Sequence, residues 1–239
     1  MKSRIYAFIY VLASSLLALP VSAQEEQIKE AIEKEILIKD SAPVFGGVAV
    51  SADLCGLFMK VMNAKFANME AACRLNFKEK YFPIGELGIG DCTKNGAENN
   101  NRFSTTAPYI RVGMDYNLNK KMNGNRFFCG LRYAFSSFKF DYDNPDFTDE
   151  YWSEQHPLSI HGQKDNTQWL EFVIGVETKL WSIVRLGWNI RYKNRLHQSG
   201  IEYGEPWFVP GFGRNGGTAW GGNVNLTFDV GKTAKKNIK

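Results

Sequence analysis

The histidines His156, His161 and His197 are the side chains of this sequence best suited to proton transfer near neutral pH. A hydrolase needs a nucleophile, a histidine and an acid brought together, and Ser159, His161 and Asp149 supply these types within one stretch. The nucleophile-elbow motif G-x-S-x-G does not occur in the sequence. We therefore predict no catalytic residues, and a lipid-modifying enzyme that uses His161 or His197 remains the alternative.

Acidic side chains are concentrated in the stretch DYDNPDFTDEYWSE at 141–154. Asp141, Asp143 and Asp146 have the spacing of calcium ligands, but the glycine and the closing glutamate of the twelve-residue calcium loop are missing. We interpret the stretch as an acidic surface loop that shares divalent ions with a phosphate-rich membrane surface. The sequence predicts no metal site and no cofactor.

The cysteines Cys55, Cys73, Cys92 and Cys129 have no C-x-x-C spacing of the kind that binds metals. They fall in or beside segments with strand character, where cysteine commonly acts as a small apolar filler. An exported protein is permitted disulfides but does not require them. Whether any of the four cysteines pair is left open by the sequence.

The chain begins as an exported protein does. Lys2 and Arg4 precede an apolar run that ends before Pro20, and small residues follow up to Ala23. This order is typical of a cleaved signal peptide at 1–23, and the run is shorter than the roughly 20 residues of a membrane-spanning helix. Removing the two basic residues brings the formal charge of +4 closer to neutral, which argues against nucleic-acid binding.

Helical spacing follows the signal segment. Ile28, Ile32 and Ile36 recur every four residues in a charged stretch, which predicts a short amphipathic periplasmic helix at 24–42. The helix rests on the end of the barrel or docks a periplasmic partner. A barrel is predicted for 43–231, and a basic periplasmic tail for 232–239.

The barrel is predicted from alternation of apolar and polar residues. Ile110, Val112 and Met114 share one face of a segment, while Arg111 and Asp115 share the other. The same pattern predicts eight strands: 44–62, 66–77, 81–91, 106–119, 126–140, 167–180, 183–195 and 217–230. The sequence therefore indicates an all-β protein, an eight-stranded antiparallel up-and-down transmembrane barrel with a short N-terminal periplasmic helix.

The lengths of the connections support this interpretation. Outer-membrane barrels have short periplasmic turns and long outer loops. With a periplasmic N-terminus, the inner turns at 78–80, 120–125 and 181–182 are short. Of the four outer connections, 92–105, 141–166 and 195–216 are long and 63–65 is short.

Charged side chains fill the predicted lumen once the apolar face is turned outward. An eight-stranded barrel has room inside only for side chains, so its charges must pair with one another. We expect a plug, with a proton or ion path as the alternative. The predicted lumenal network comprises Glu70, Arg74, Glu86, Arg111, Asp115, Arg132, Glu171, Glu177, Arg185, Arg191 and Asp229.

Aromatic residues in the outer loops are the candidate interaction sites. Trp152 lies in the acidic loop, and Trp207, Phe208 and Phe212 lie in GEPWFVPGFGRNGG at 204–217. An exposed apolar loop can bind a partner or rest on lipid, and it can equally pack on itself across the barrel mouth.

Several stretches together resemble a known family. They are FPIGELGIG at 82–90, APYIRVGMDYNL at 107–118 and FFCGLRYAFSSFKFDY at 127–142. Together with the export signal and the leader helix, they resemble an outer-membrane barrel family of Bacteroidota that is a domain of unknown function. The resemblance implies fold and location but no activity.

The predicted function is that of an outer-membrane barrel with a plugged lumen, acting as a structural or accessory interaction subunit. Its expected partners are outer-membrane lipid and lipopolysaccharide, with other outer-membrane or periplasmic proteins as further candidates and no nucleic acid. A lipid-modifying enzyme and a small-ligand carrier or pore are the alternatives.

Overall fold

The structure is a computed structural model that describes residues 44–62, 64–96, 101–119, 125–145, 157–199 and 204–230. The chain divides into two compact units, Met1–Ala42 and Pro43–Lys239. The segments interpreted above as a signal peptide, a leader helix and a basic tail lie outside the described residues, as does Trp152.

The second unit is a closed antiparallel barrel of eight strands. Each barrel strand pairs with the next barrel strand in the chain, and the last strand closes the ring against the first. The barrel strands are β1 Phe45–Asp53, β2 Phe66–Phe77, β3 Tyr81–Asn95, β4 Arg102–Asn117, β5 Arg126–Asn144, β6 Leu158–Lys179, β7 Val184–Gln198 and β10 Thr218–Val230. The up-and-down eight-stranded sheet predicted from alternation is therefore confirmed.

Two further elements lie at one end of the barrel. Helix α1, Leu54–Val61, connects β1 to β2, and a small hairpin of β8, Phe208–Val209, and β9, Gly213–Arg214, lies between β7 and β10. We call this the loop end, and we call the opposite end, with the connections at 78–80, 118–125 and 180–183, the turn end. Within the described residues, no helix is both long enough and apolar enough to cross a membrane.

Adjacent residues of the wall differ sharply in exposure. Glu86 is 1% exposed while Leu87 is 64% exposed, and Arg132 is 2% exposed while Leu131 is 62% exposed. Successive side chains of a strand point to opposite faces, so the alternating sequence sends charge inward and apolar groups outward. This is the reverse of the usual distribution in a soluble protein, where ionised side chains are almost never fully buried unless paired.

The prediction of a first strand over 44–62 is wrong beyond Asp53. The Asp53 side chain accepts hydrogen bonds from the Cys55 and Gly56 amides, at 3.0 and 3.1 Å, and so caps a helix. From Leu54 onward the apolar residues recur at helical spacing, at Leu57, Phe58 and Val61. Gly56 lies so close to β2 that a Cβ there would be 1.8 Å from the Asn68 carbonyl oxygen.

The strands also extend further into the loop end than predicted. β5 and β6 pair as far as Asn144 with Leu158, well inside the connection expected at 141–166. β3 and β4 pair as far as Asn95 with Arg102. In these extensions apolar residues such as Cys92 and Phe103 face inward and polar residues face outward, which inverts the apolar-outward pattern from which the strands were predicted.

The short β1 leaves a gap in the wall, which we call the notch. β1 pairs with β10 only up to Asp53 opposite Asn225, and with β2 only up to Ala52 opposite Ala71. Beyond these pairs, Thr218–Val224 of β10 pairs only with β7, and Phe66–Glu70 of β2 pairs only with β3. Helix α1 contacts both edges of the notch.

Candidate functional site

The centre of the lumen is occupied by carboxylates and guanidinium groups in direct contact. Glu86 accepts hydrogen bonds from Arg191 Nη1 at 2.8 Å and from Arg111 Nη1 at 3.2 Å. It also forms an ion pair with Arg132, whose Nε lies 2.7 Å from Oε1. Glu171 forms an ion pair with Arg111, whose Nε lies 2.8 Å from Oε1. These groups come from five different strands, β3 to β7, so the cluster ties opposite sides of the wall together.

Glu70 forms the side of this cluster that faces the loop end. It accepts from Arg191 Nη2 at 2.9 Å, from the Tyr109 hydroxyl at 3.1 Å and from Arg111. The Trp169 indole donates to Glu171 at 2.6 Å. Tyr109 and Trp169 thereby donate to carboxylate lone pairs that no arginine occupies. A buried ion pair is stable only when such remaining lone pairs are also hydrogen-bonded.

A second cluster lies nearer the turn end. Asp115 Oδ2 accepts a hydrogen bond from Arg132 Nη2 at 3.1 Å and forms an ion pair with Arg74, whose Nη2 is 3.2 Å away. Asp115 therefore links the two clusters. Glu177 pairs with Arg74 and receives Arg126 Nη1 at 3.3 Å. The guanidinium of Arg126 also lies over the Phe82 ring, 4.5 Å from its centroid.

The eleven residues named as lumenal from the sequence lie inside the barrel. Arg185 pairs with Asp229, with Nε 2.8 Å from Oδ2, and the other nine are joined through continuous ion pairs. Sequence reasoning missed Arg126 and Lys193, both buried. Their inward direction could have been predicted, because Arg126 shares a strand face with Arg132 and Lys193 shares a strand face with Arg191.

Glycines provide the space that these long side chains need. A Cβ at Gly130 would lie 2.0 Å from Asp115 Oδ1, and one at Gly187 would lie 2.7 Å from Glu177 Cγ. Both distances are far below van der Waals contact, so a larger residue would displace the carboxylate it touches. The glycines on the inner face are therefore part of the network's geometry.

Toward the loop end the interior changes from charged to apolar. An aromatic cluster on the inner faces of β4, β5 and β6 is built on Phe103, Phe138, Phe140 and Trp169. The hairpin β8–β9 inserts Phe208, Val209 and Phe212 into it, and the Trp169 and Phe212 rings meet edge to face at 5.7 Å. We call this hairpin, residues 207–214, the mouth hairpin.

The tip of the mouth hairpin is bound to the charged interior. The Gly211 carbonyl accepts from Arg111 Nη2 at 2.9 Å and from Lys193 Nζ at 2.7 Å. Lys193 also donates to the Phe212 carbonyl at 3.0 Å. Gly211 has a φ of +80° and lies on the Tyr109 ring, where a Cβ would be 2.5 Å from Cγ.

The expectation that the aromatics of 204–217 are exposed is wrong for two of them. Phe208 is 3% exposed and Phe212 is 1% exposed, while Trp207 is half-buried beside Phe103. The loop packs on itself across the mouth because glycines at its turns let the chain fold back into the apolar upper interior. Phe208 and Phe212 therefore offer no surface to a partner.

His161 and His197 fall within the outer connections predicted at 141–166 and 195–216, but the structure places both in strands. His161 lies in β6 and His197 in β7, in the extensions at the loop end, and both are exposed. His161 Nε2 is 3.5 Å from Asp143 Oδ1, and Nδ1 is 3.8 Å from Asp141 Oδ1. His156, Asp146 and Asp149 lie outside the described residues, and Ser159 is exposed on β6.

The cysteines and acidic clusters complete the inventory of reactive groups. Cys55, Cys73, Cys92 and Cys129 are all free thiols, with Cys92 buried in the mouth cluster and Cys73 exposed. Over the described part of the chain, no group of three or more His, Cys, Asp or Glu side chains is arranged to hold a metal ion.

Comparison with known proteins gives a family and a structural likeness. The structure of Ail, the attachment invasion locus protein of Yersinia pestis, in complex with the heparin analogue sucrose octasulfate, aligns with 77% of this chain and 93% of that chain. The identity is 9% and the TM-score is 0.36, which is too low to support a conclusion. No curated protein matches the sequence. The profile of a domain of unknown function, DUF6048, matches residues 4–230. The chain belongs to the DUF6048 family.

Proposed function

We propose that this protein is an outer-membrane barrel with a plugged lumen that serves as a structural or interaction subunit of that membrane. A cleaved signal peptide at 1–23 exports it, the leader at 24–42 lies in the periplasm, and the source is a member of the Bacteroidota. Outer-membrane lipid and lipopolysaccharide surround it, and other envelope proteins are its candidate partners.

The observation that carries the proposal is the belt of exposed apolar side chains on the barrel wall. Large patches of this kind are rare on monomeric soluble proteins and mark surfaces that contact lipid or a partner. The belt continues from strand to strand around the barrel. Its members include Leu87, Ile89, Ile110, Val112, Met114, Leu131, Tyr133, Leu170, Phe172, Ile174, Trp188, Ile190, Val224 and Phe228.

Aromatic side chains at the turn end support a membrane boundary there. The rings of Tyr81 and Tyr116 pack edge to face at 5.5 Å, and Lys80 Nζ lies 5.1 Å from the Tyr116 centroid. Phe45 and Phe77 pack in the same way at 5.7 Å on the neighbouring strands. Girdles of aromatic residues flank the apolar band of outer-membrane barrels at both interfaces.

The filled interior supports a structural role over transport. The central ion pairs and the aromatic mouth cluster occupy the space that a channel would need, and an eight-stranded barrel has little to spare. Trp152, in the acidic loop, keeps its role as a predicted contact for a protein partner.

The membrane assignment is tested by placing a charge in the belt. Leu87→Lys and Leu131→Lys should each lower the free energy of unfolding in lipid vesicles by about 2–4 kcal/mol, the cost of a lysine at mid-membrane depth. Thr93→Lys changes an exposed residue on the same face of β3 beyond the belt and should have little effect. Urea titration of vesicle-refolded protein measures all three variants. Equal stability of the belt variants and the control, or recovery of the protein as a soluble periplasmic species, would rule out the proposal.

The lipid-modifying alternative is tested through the two described histidines. His161→Ala combined with His197→Ala should leave the lipid A and phospholipid profiles of the cell unchanged, because the proposed role includes no catalysis. Mass spectrometry of extracted lipids makes the comparison against wild type and a deletion strain. A profile that changes in both the deletion and the double variant would favour the enzyme.

A further inference from the structure

The notch opens onto a cavity of about 310 Å³. This volume lies at the lower end of the range for small-molecule sites. The cavity is bounded by helix α1, by the open edges of β2 and β10, and by the mouth hairpin, so it connects the lumen mouth with the outer surface of the wall.

Apolar side chains form the outer rim of the cavity. Phe66 begins the open edge of β2, Trp220 lies on the open edge of β10, and both are exposed on the wall. Met59 of helix α1 lines the cavity between them, and Trp207 lines it from the mouth hairpin. A hydrocarbon chain can therefore leave the cavity sideways along apolar contacts without crossing the charged interior.

The inner end of the cavity is polar, and its two carboxylates already accept hydrogen bonds from other groups. Glu70 is bound by Arg111, Arg191 and the Tyr109 hydroxyl. Asp53 accepts two amide hydrogens at the start of helix α1. Arg111 in turn contacts Glu70, Glu86 and Glu171, so these groups balance one another.

Lys193 differs from its neighbours. Its ammonium is buried and donates to two main-chain carbonyls, those of Gly211 and Phe212, and within the described residues it forms no ion pair. An ammonium has three hydrogens to donate, and a buried charge is stabilised most by an opposite charge. Arg214 lines the same cavity and adds positive charge. The inner end is thus complementary to an anion.

We propose that the notch cavity binds one anionic single-chain amphiphile, with its carboxylate or phosphate on Lys193 and its hydrocarbon chain leaving between Phe66 and Trp220. Helix α1 lies over the gap and acts as its cover. The site adds a ligand to the proposed structural role and does not depend on that role, since binding can be measured in detergent.

Native mass spectrometry of the purified full-length mature protein in detergent tests the proposal, with four probes. Palmitate and hexadecyl phosphate share a chain length but differ in the anion. Hexadecanol has the same chain without a charge, and hexanoate has the charge with a short chain. We expect one molecule of palmitate or hexadecyl phosphate per barrel, bound at least about tenfold more tightly than hexadecanol and hexanoate, since each 1.4 kcal/mol is tenfold in affinity. Preference for only one of the two anions identifies the head group.

Three variants locate the binding. Lys193→Met should abolish the preference for anions over hexadecanol, while Trp220→Ala should weaken every long-chain probe. Trp188→Ala is the matched control, because Trp188 is an exposed tryptophan of the same wall that does not line the cavity. Should Lys193→Met fail to fold, because it also holds the mouth hairpin, the comparison of Trp220→Ala with Trp188→Ala decides alone.

Three outcomes would overturn the proposal. Equal binding of palmitate and hexadecanol to wild type removes the role of the buried ammonium. If Trp220→Ala and Trp188→Ala lose affinity for the long-chain probes equally, the probes only adsorb to the belt. A co-purifying peptide that occupies the notch in place of the amphiphile assigns the open strand edges to a protein partner.

Discussion

At the scale of single residues, Glu86 holds the lumen together. Three arginines from three strands converge on its carboxylate, and Glu86 is almost completely buried. Taking charges out of water is expensive, and only their mutual contacts offset that expense. The net stabilisation from such a buried ion pair is small. Removing one partner is nevertheless strongly destabilising, because it leaves the opposite charges buried without compensation.

Glu86→Gln should therefore lower the free energy of unfolding by about 3–5 kcal/mol, the usual effect of removing one partner from a buried ion pair. The amide keeps the shape of the side chain but leaves Arg111, Arg132 and Arg191 short of one negative charge. Urea unfolding in micelles, followed by tryptophan fluorescence, gives the value.

The matched control is Asp91→Asn. Asp91 pairs with Lys60 on the surface, and an exposed pair contributes about 1 kcal/mol or less. If the two variants lose the same stability, burial is not what gives the lumenal pairs their importance.

At the scale of elements, the mouth hairpin is packed into the loop end of the lumen and hydrogen-bonded to charged side chains deeper in the interior. Its two buried phenylalanines fill the aromatic cluster, and the Gly211 carbonyl receives both Arg111 and Lys193. The hairpin therefore joins the apolar upper interior to the charged centre. Changing Trp207 and Phe208 to Ala should therefore loosen the packing at the mouth, because Phe208 is buried in that cluster.

Gly211→Ala should displace this hairpin. The new methyl group would meet the Tyr109 ring at 2.5 Å in a backbone conformation with φ of +80°, and strain of this kind costs about 1–3 kcal/mol. Limited proteolysis of the folded barrel should then cut within 207–214 at a protease concentration that leaves wild type intact.

Gly213→Ala separates the effect of the contact with Tyr109 from the effect of backbone strain. Gly213 has a φ of +115° in the same hairpin, but a Cβ there meets nothing within 4 Å. Equal cleavage of both variants would show that backbone strain, and not the contact with Tyr109, controls the position of the hairpin.

The elements also show how far a sequence can predict this fold. Strand alternation located all eight barrel strands. The pattern is informative because a one-residue shift in the pairing register would turn the apolar face of a strand into the lumen. It failed at helix α1, where Leu54, Leu57, Phe58 and Val61 have helical spacing inside a segment bounded by strand residues. The capping Asp53 was the signal that could have ended β1 correctly.

Side-chain burial at the mouth was harder to predict. The direction of Arg111 follows from its place in a strand, whereas Phe208 and Phe212 lie in a connection without periodicity. Their burial depends on the space left between distant strands and on two cationic donors, Arg111 and Lys193, that reach one carbonyl. Such contacts come from tertiary structure, and no local pattern of residue types contains them.

At the scale of the whole barrel unit, two closures lie in series along the lumen. The aromatic mouth cluster fills part of the loop end, and the ion pairs around Glu86 and Asp115 fill the centre. The central ion pairs join residues of β2 to β7 across the lumen, so the loss of the mouth cluster alone should not open a path through the barrel.

Protein reconstituted into planar bilayers should accordingly give no stable conductance. A variant in which 207–214 are replaced by a short Gly-Ser linker should also remain silent, because the central ion pairs are untouched. Single-channel recording at both polarities makes the measurement. Reproducible steps in wild type would identify a pore, and steps only in the shortened variant would show that the mouth hairpin is the sole seal.

The unequal strands give the barrel rim a high and a low side. β5 has 19 residues and β1 has 9, and in the ring order they face each other. At about 3.4 Å per residue, the difference is roughly 34 Å measured along the strand. Within the described residues, a large molecule that approaches the mouth meets the long β5–β6 wall on one side and the lower edge covered by helix α1 on the other. Strand length therefore makes the side of helix α1 the lower approach to the mouth.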